Sequence, residues 1–234
     1  MNIVITGASR GLGKAIAEAF AQQGPHFFWL TGRRTDTLTA TEQALQQAFP
    51  AAQFCSFAAD LGTTAGCQSL ANWVLSYQRP IDVLINNAGS FEPGSVHSEP
   101  EGQLETMLNT NLMSAYHLTR ALLPPMVARQ QGHIFNMCSI ASQQAYANGG
   151  SYSISKFALL GFGKNLREEL KPHQIKVTNV LPGAAYTDSW AASGIDENRL
   201  MAAADVAQMV VAAAQLSPRA CVEELVLRPQ LGDL

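Results

Sequence analysis

The chain has 234 residues, of which 47% are hydrophobic, and its formal net charge is −3. This length fits one domain or two small ones, and without a Lys/Arg cluster a nucleic-acid partner is not expected. The longest mostly apolar stretch, residues 206–216, is shorter than the ~20 residues that cross a bilayer, and the N-terminus lacks the basic segment of a signal peptide. The four cysteines show no metal-ligand spacing. We therefore expect a cytoplasmic protein with no metal and no membrane partner.

Short apolar runs alternate with helical patterns along the chain. Seven runs predict β-strands, at residues 2–6, 27–31, 53–57, 83–86, 133–137, 176–180 and 224–227. Such alternation predicts right-handed βαβ units. The sequence therefore predicts an α/β fold: a single-domain, Rossmann-type, doubly wound parallel sheet with helices on both faces. Ligands of such sheets bind beyond the carboxyl ends of the strands.

A glycine-rich turn follows the first predicted strand. Gly7, Gly11 and Gly13 lie between that strand and an amphipathic helical pattern. Glycines there permit a tight turn and let a phosphate approach the free N–H groups of a helix N-terminus. A turn of this kind can also be purely structural, so its position between strand and helix carries the interpretation.

This turn and three later motifs resemble the short-chain dehydrogenase/reductase (SDR) family. The matches are T-G-x-x-x-G-x-G at 6–13, Asp-Leu at 60–61, N-N-A-G at 86–89 and P-G-x-x-x-T at 182–187. The resemblance covers the whole chain and implies an enzyme that binds a nicotinamide cofactor. The cofactor-binding residues that it implies are Gly7, Ser9, Arg10, Gly11, Leu12, Gly13, Arg33, Asp60, Leu61, Asn87, Ala88, Gly89, Tyr152, Lys156, Pro182, Gly183, Ala185 and Thr187.

The choice between NAD and NADP depends on the residues after the second strand. NAD enzymes place an acid there to bind the ribose 2′-hydroxyl, whereas this chain has Gly32 followed by Arg33. A guanidinium suits a 2′-phosphate because it presents a planar fork of donors and a fixed charge. Arg10, inside the glycine turn, resembles the second basic residue of NADP-preferring members. Either arginine alone can be merely solvated, but the pair and the missing acid predict NADP(H).

Tyr152 and Lys156 form a Y-x-x-x-K pair on one face of a predicted helix. A free tyrosine, with a pKa of ~10, is a poor base near neutral pH, and a neighbouring ammonium lowers that pKa. Such a pair is usually a surface contact, but here it follows Ser139 by the SDR interval of 13 residues. The resemblance implies that Tyr152 donates the proton, Lys156 binds the nicotinamide ribose and tunes Tyr152, and Ser139 orients the carbonyl. Without Tyr152, the sequence would indicate only that Ser139 is a turn residue.

Asn111 is the fourth predicted catalytic residue. It shares the inward side of its helical pattern with apolar residues, where an amide is costly unless it is hydrogen-bonded. The amide can tie helix to sheet, and the resemblance implies that it also helps hold a water on Lys156. Both roles are compatible.

Together these residues predict an NADPH-dependent carbonyl reductase whose partner is a small-molecule carbonyl or alcohol. Thr187 and the backbone of Ala185 are expected to hold the nicotinamide carboxamide. Two alternatives remain open: reduction of another ketone, such as a 3-oxoacyl thioester or a diketone, and a non-catalytic NADP(H)-binding sensor on the same fold. The sensor is disfavoured because all four active-site residues are present.

The substrate pocket is expected to be lined by Phe91, Ala141, Tyr146 and a substrate loop at about 188–203. Trp190 and Met201 are the large apolar members of that loop, and such residues can equally cap the core.

The C-terminal tail, from Arg228-Pro229 to Gly232-Asp233-Leu234, resembles that of bacterial sepiapterin reductase-type SDRs, which reduce side-chain carbonyls on a pterin. The resemblance implies that Trp190 stacks on the pterin and that Asp233 accepts two hydrogen bonds from its amino-pyrimidine edge. This requires the tail to fold back toward the nicotinamide end, whereas terminal residues are often solvated.

Helices predicted at about 103–128 and 151–170 resemble those that pair between SDR subunits. Gly161 and Gly163 would permit close helix approach. The resemblance therefore implies a homodimer or homotetramer.

Overall fold

The computed structural model of the chain describes residues 1–187 and 194–233. Its strands are β1 Asn2–Ile5, β2 Phe27–Gly32, β3 Gln53–Ala58, β4 Val83–Asn86, β5 Gly132–Met137, β6 Ile175–Pro182, β7 Ala185–Tyr186, β8 Met201–Ala202 and β9 Glu224–Leu227. Seven of them form a parallel sheet in the order β3-β2-β1-β4-β5-β6-β9, and β7 pairs separately with β8. The predicted fold class is confirmed, and each of the seven predicted strands is present within two residues of its expected ends.

Helices cover both faces of the sheet. They are α1 Gly11–Ala21, α2 Thr35–Ala48, α3 Thr64–Ser76, α4 Gln103–Leu108, α5 Ser114–Arg129, α6 Gly150–Leu170 and α7 Ala203–Gln215. A π-helical turn, Asn109–Met113, joins α4 to α5, and 3-10 turns occupy Ile140–Ser142, Lys171–His173 and Glu197–Arg199. Helices α1, α2 and α7 pack on one face of the sheet, and α3, α5 and α6 pack on the other.

Alternation along the strands divides the core between these two faces. Ile3 and Ile5 of β1 point into the cluster under α1 and α7, while Val4 points into the cluster under α3 and α5. Successive side chains of a strand face opposite sides of a sheet. Because helices cover both sides here, all three side chains are fully buried. Burial on both faces explains why the strands read as continuous apolar runs.

The predicted substrate loop is only partly described. Residues 188–193, including Trp190, lie outside the described residues. Farther along, Met201 is buried and packs in the core under α1 and α7, so the core-capping interpretation holds for this residue. Among residues 1–187 and 194–233, no helix is long and apolar enough to cross a membrane. The cytoplasmic location stays a prediction.

The two glycines of α6 have different surroundings. A Cβ at Gly163 would overlap the amide oxygen of Asn179 in β6 and lie 2.8 Å from Asn136 Nδ2 in β5. Gly163 therefore lets α6 lie close to its own sheet, so its expected role in contact with another subunit is wrong. A Cβ at Gly161 would meet nothing within 4 Å, and this position faces open space.

This difference predicts opposite effects of the same substitution. We expect Gly163→Ala to lower the free energy of unfolding by ~1–3 kcal/mol, the usual range for overpacking a close contact. In the isolated protomer, Gly161→Ala should leave stability unchanged or raise it by up to ~1 kcal/mol, since alanine is the better helix former. Urea denaturation measures the free energy of unfolding of both variants. Equal losses would contradict the different surroundings of the two glycines.

Candidate active site

The glycine turn forms a tight cradle at the start of α1. Gly7 and Gly11 have φ of +63° and +56°, a left-handed backbone that favours glycine. A Cβ at Gly13 would overlap the Gly7 carbonyl oxygen and lie 2.6 Å from Asn87 Nδ2. The N-cap residue Arg10 gives α1 no side-chain cap, and the first N–H groups of a helix have no partner within the helix. This end of α1 therefore suits an anion.

Thr6 and Asn87 join this turn to the segment after β4. Thr6 Oγ1 accepts hydrogen bonds from the backbone N–H groups of Asn87 and Ala88, at 2.9 and 2.8 Å. In return, Asn87 Nδ2 donates to the carbonyl oxygens of Thr6 and Gly7, at 2.9 and 3.0 Å. The strand order reverses between β1 and β4, which is where open α/β sheets bind their ligands.

The end of β2 lies against the same turn. The N–H of Ala8 donates to the Thr31 carbonyl at 2.8 Å, and a Cβ at Gly32 would lie 3.3 Å from Ser9 Oγ. Arg33 follows directly and its side chain is exposed. The next residue, Arg34, is engaged in an ion pair with Asp36 at 2.8 Å.

Two more predicted cofactor segments occupy the same edge of the sheet. After β6, Thr187 is so close to the turn that a Cβ at Gly11 would lie 3.5 Å from its side chain. After β3, Asp60 Oδ1 accepts from the N–H of Gly62 at 3.0 Å, which closes a local turn. Leu61 is buried.

Lys156, Tyr152 and Ser139 meet at the start of α6. Lys156 is 6% exposed, its Nζ donates to the Met137 carbonyl at 2.8 Å, and Nζ lies 5.7 Å from the centre of the Tyr152 ring. The Ser139 side chain lies near the Tyr152 hydroxyl and acts on its pKa. Ser139 also caps the following 3-10 turn, its Oγ accepting from the Ala141 N–H at 3.1 Å. Ser139 is therefore both a turn residue and a neighbour of Tyr152.

The pKa of Tyr152 differs from the sequence-based expectation. The sequence predicts that the Lys156 ammonium lowers it, but burial raises the pKa of Tyr152 above its ordinary value, and the Ser139 side chain opposes that rise. Burial also lowers the pKa of Lys156 to about 8. In both cases burial disfavours the charged form, so both groups are shifted toward neutrality.

Asn111 lies in the π-helical turn and is 1% exposed. Its Oδ1 accepts from the N–H of Ser90 at 2.8 Å, and its Nδ2 donates to the Ser90 carbonyl and to Ser155 Oγ, at 3.0 and 2.9 Å. The amide therefore ties the segment after β4 to α6, beside Lys156. A Cβ at Gly89 would lie 3.0 Å from Asn111 Oδ1 and 3.6 Å from Lys156 Nζ, so a side chain there would press on the Asn111 amide.

The predicted substrate residues do not all lie beside Tyr152. Phe91 meets Tyr152 edge to face, with ring centroids 4.8 Å apart, and Ala141 is buried. Tyr146 lines a cavity of about 380 Å³ together with Val96, Ile154 and Phe157. Tyr152 is not among the residues that line this cavity. A place for Tyr146 in the substrate pocket thus stays a prediction.

The C-terminal tail folds back over the end of β6. Arg199 donates to the carbonyl oxygens of Gly232 and Asp233, both at 2.9 Å. A Cβ at Gly183 would lie 3.3 Å from Asp233 Oδ1, so this carboxylate reaches the segment that precedes Thr187. Asp233 also pairs with Arg228 at 3.3 Å.

Three contributors to the site were missed from the sequence. The Thr6 hydroxyl bridges two strands, Ser155 binds Asn111, and the Met137 carbonyl holds Lys156. Thr6 opens the glycine motif, and that position was its one available signal. A backbone carbonyl has no side-chain signature, and Ser155 gains a role only when α6 packs beside the π-helical turn.

Comparisons with known proteins agree with this geometry. The family model for short chain dehydrogenases matches residues 1–198. A sepiapterin reductase from Chlorobaculum tepidum is 32% identical over an alignment of 239 positions, which covers 99% of this chain and 97% of that protein. The NADP-dependent 3-hydroxy acid dehydrogenase YdfG of Salmonella typhi is 36% identical over 78% of this chain and 72% of its own length. A metagenomic short-chain oxidoreductase solved with NADP has 32% identity and a TM-score of 0.84, covering 98% of this chain and 97% of its own.

The chain belongs to the short-chain dehydrogenase/reductase family. It is an NADP-dependent oxidoreductase of that family.

Burial of Lys156 predicts a distinct dependence of stability on pH. The pKa of this lysine is ~10.4 in an unfolded chain and about 8 in the folded protein. Between these values the unfolded chain binds more protons, so stability rises with pH. The wild-type free energy of unfolding, relative to Lys156→Met, should increase by on the order of 2 kcal/mol from pH 8 to pH 10. Urea denaturation without cofactor measures it, and a constant difference would show that Lys156 does not titrate in this range.

Proposed function

We propose that the chain is an NADPH-dependent carbonyl reductase in which Tyr152 donates a proton to the substrate oxygen. The observation that carries this proposal is the meeting of Tyr152, Ser139 and Lys156 beside the glycine cradle. A proton donor, a hydroxyl that can orient a carbonyl and a buried amine then share one edge of the sheet with a nucleotide site.

The residues at the cradle fit a nicotinamide dinucleotide. Cβ atoms at Gly7 and Gly13 would fill the space beside Asn87, and the N-terminal N–H groups of α1 suit the pyrophosphate. Arg33 and Arg10 are the proposed partners of the 2′-phosphate, Asp60 of the adenine, and Thr187 with the backbone of Ala185 of the carboxamide. When bound, the cofactor supplies the hydride.

Burial keeps Tyr152 in its neutral form, which is the form that reduction of a carbonyl uses. A tyrosine that is protonated near neutral pH is a proton donor, whereas a phenolate is not. Ser139, whose side chain lies near Tyr152, would bind the same carbonyl oxygen and hold it within reach of the phenol. Lys156 has three N–H donors, and one goes to Met137, which leaves donors for the cofactor ribose.

A pterin with a side-chain carbonyl is the proposed substrate. The full-length similarity to a sepiapterin reductase supports it, and so does the folded-back tail that brings Asp233 beside Gly183. Asp233 would have to exchange part of its contact with Arg228 for the pterin edge. The similarity to YdfG favours a second candidate, a 3-hydroxy acid or its 3-oxo form.

A carbonyl panel with NADPH tests the function, and Tyr152→Phe tests the mechanism. The panel contains sepiapterin, diketones, acetoacetyl thioesters and, with NADP+, 3-hydroxy acids. We expect reduction of sepiapterin, and we expect Tyr152→Phe to lower kcat by ~10²–10⁴-fold while the NADPH dissociation constant hardly changes. Near-normal turnover by the folded variant would overturn the proton-donor role. NADPH binding without turnover of any panel member would favour the sensor alternative.

Arg33→Ala tests the proposed contact with the 2′-phosphate. Loss of a charge-assisted hydrogen bond costs roughly 1.5–3 kcal/mol, so the dissociation constant of NADPH should rise about tenfold or more while that of NADH barely changes. Arg34→Ala is the matched control, because Arg34 is already paired with Asp36. Titration of both variants by nucleotide fluorescence gives the answer. Equal losses for the two nucleotides would assign Arg33 to the fold instead.

The proposal includes a homodimer or homotetramer formed through α6. Ile154 and Phe157 are exposed apolar residues, and with Gly161, where a Cβ would meet open space, they follow the i, i+3, i+7 spacing of one helix face. An exposed apolar stripe of this kind is typical of a protein–protein interface, because burying it removes apolar surface from water. Light scattering that shows only monomer at micromolar concentration would contradict this assembly.

A further inference from the structure

The first turn of α6 begins against a carboxylate from a distant loop. The N–H of Ser151 donates to Glu99 Oε2 at 3.2 Å, and the Ser151 hydroxyl donates to Glu99 Oε1. Ser151 is fully buried and directly precedes Tyr152. The N-cap residue of α6, Gly149, supplies no side-chain cap, so Glu99 satisfies an N–H that the helix itself leaves without a partner. Its negative charge also lies at the positive end of the helix dipole.

Two glycines allow the carboxylate to reach this position. Gly150 has φ of +31°, and a Cβ there would overlap the Gly94 carbonyl oxygen and lie 2.6 Å from Glu99 Oε2. A Cβ at Gly94 would lie 3.1 Å from the same oxygen and 3.0 Å from Gln103 Nε2. A glycine therefore flanks the Glu99 carboxylate on each side, and a larger residue at either position would displace the carboxylate.

The same loop is tied to the segment before α6 at a second point. The N–H of Gly94 donates to the Asn148 carbonyl at 3.1 Å, and Ser95 Oγ donates to Asn148 Oδ1 at 3.0 Å. This loop also carries Phe91, whose ring meets Tyr152. Glu99, Gly94 and Ser95 therefore together hold the loop that carries Phe91 against the start of α6, and Glu99 is the member of this set that binds the first turn itself.

Lys156 does not depend on this contact in the same way. It lies one turn farther along α6, where its Nζ is held by the Met137 carbonyl of β5, and its neighbour Ser155 is held by Asn111. Loss of the Glu99 contact should loosen the first turn and Tyr152 while Lys156 keeps its place.

We propose that Glu99 is a positioning residue for Tyr152, acting through Ser151 and the first turn of α6. This inference rests on the proposed reductase function. A proton donor displaced by about 1 Å loses on the order of 10²-fold in rate, so the effect belongs in kcat. Cofactor affinity, set at the glycine cradle and Lys156, should be preserved.

The test compares Glu99→Ala with the conservative Glu99→Gln. The glutamine oxygen can still accept from the Ser151 N–H, and its NH₂ group can donate to the Ser151 hydroxyl. We expect Glu99→Ala to lower kcat about tenfold or more with an NADPH dissociation constant close to wild type, and Glu99→Gln to restore most of kcat. Glu101→Ala, an exposed acid two residues away, is the matched control and should behave as wild type. The substrate is the panel member that the wild type reduces fastest.

Hydrogen exchange of the peptide that begins α6 supplies a readout independent of any substrate. Glu99→Ala should exchange faster in the first turn of α6 than wild type, with the Lys156 turn still protected. Wild-type kcat and wild-type exchange in a folded Glu99→Ala protein would overturn the inference. If Glu99→Ala fails to fold, Ser151→Ala takes its place, because it removes one of the two hydrogen bonds. A lowered kcat with unchanged NADPH affinity would then support the inference, and a wild-type kcat would overturn it. A wild type inert toward the whole panel would reject the reductase function, and exchange alone would then decide the role of Glu99.

Discussion

Four hydrogen bonds between Thr6-Gly7 and Asn87-Ala88 join the ends of β1 and β4, and the site on both sides depends on them. They lie where the strand order reverses. They hold the glycine turn against the segment that continues to Gly89, and Gly89 in turn leaves room for Asn111 and Lys156. The Asn87 side chain donates two of these hydrogen bonds, so Asn87 holds the glycine turn against the end of β4. Nucleotide cradle and chemical groups thereby share one fixed edge of the sheet.

Burial shifts the pKa values of the two central titratable groups, Tyr152 and Lys156, in opposite directions. It raises the pKa of Tyr152 and lowers that of Lys156 to about 8. Both shifts favour the neutral form. A neutral tyrosine is a proton donor at physiological pH, which is the role that reduction of a carbonyl requires. The spacing of Tyr152 and Lys156 indicates only that a charge lies near the phenol. Desolvation depends on how deeply α6 packs, which no local spacing reveals.

Features encoded locally were predictable from the sequence, and features that depend on tertiary packing were not. The strands β1 and β4 were recognisable because burial on both faces leaves continuous apolar runs, and the glycine cradle was recognisable from spacing and position. The π-helical turn at Asn111 was not, since its residues read as an ordinary helix. The Met137 carbonyl and the contact of Glu99 with Ser151 are long-range. Resemblance to the family anticipated the return of the tail, and the structure supplies its physical cause in the Arg199 contacts.

The proposed reaction moves a hydride from NADPH to a carbonyl carbon at this edge of the sheet. The most direct test uses NADPH deuterated at the transferring position of the nicotinamide, with mass spectrometry of the product formed from the reduced panel member. We expect a product that carries one deuterium on the former carbonyl carbon, and no deuterium on that carbon when unlabelled NADPH is used in heavy water. A product without label from deuterated NADPH, or label taken from the solvent, would contradict it.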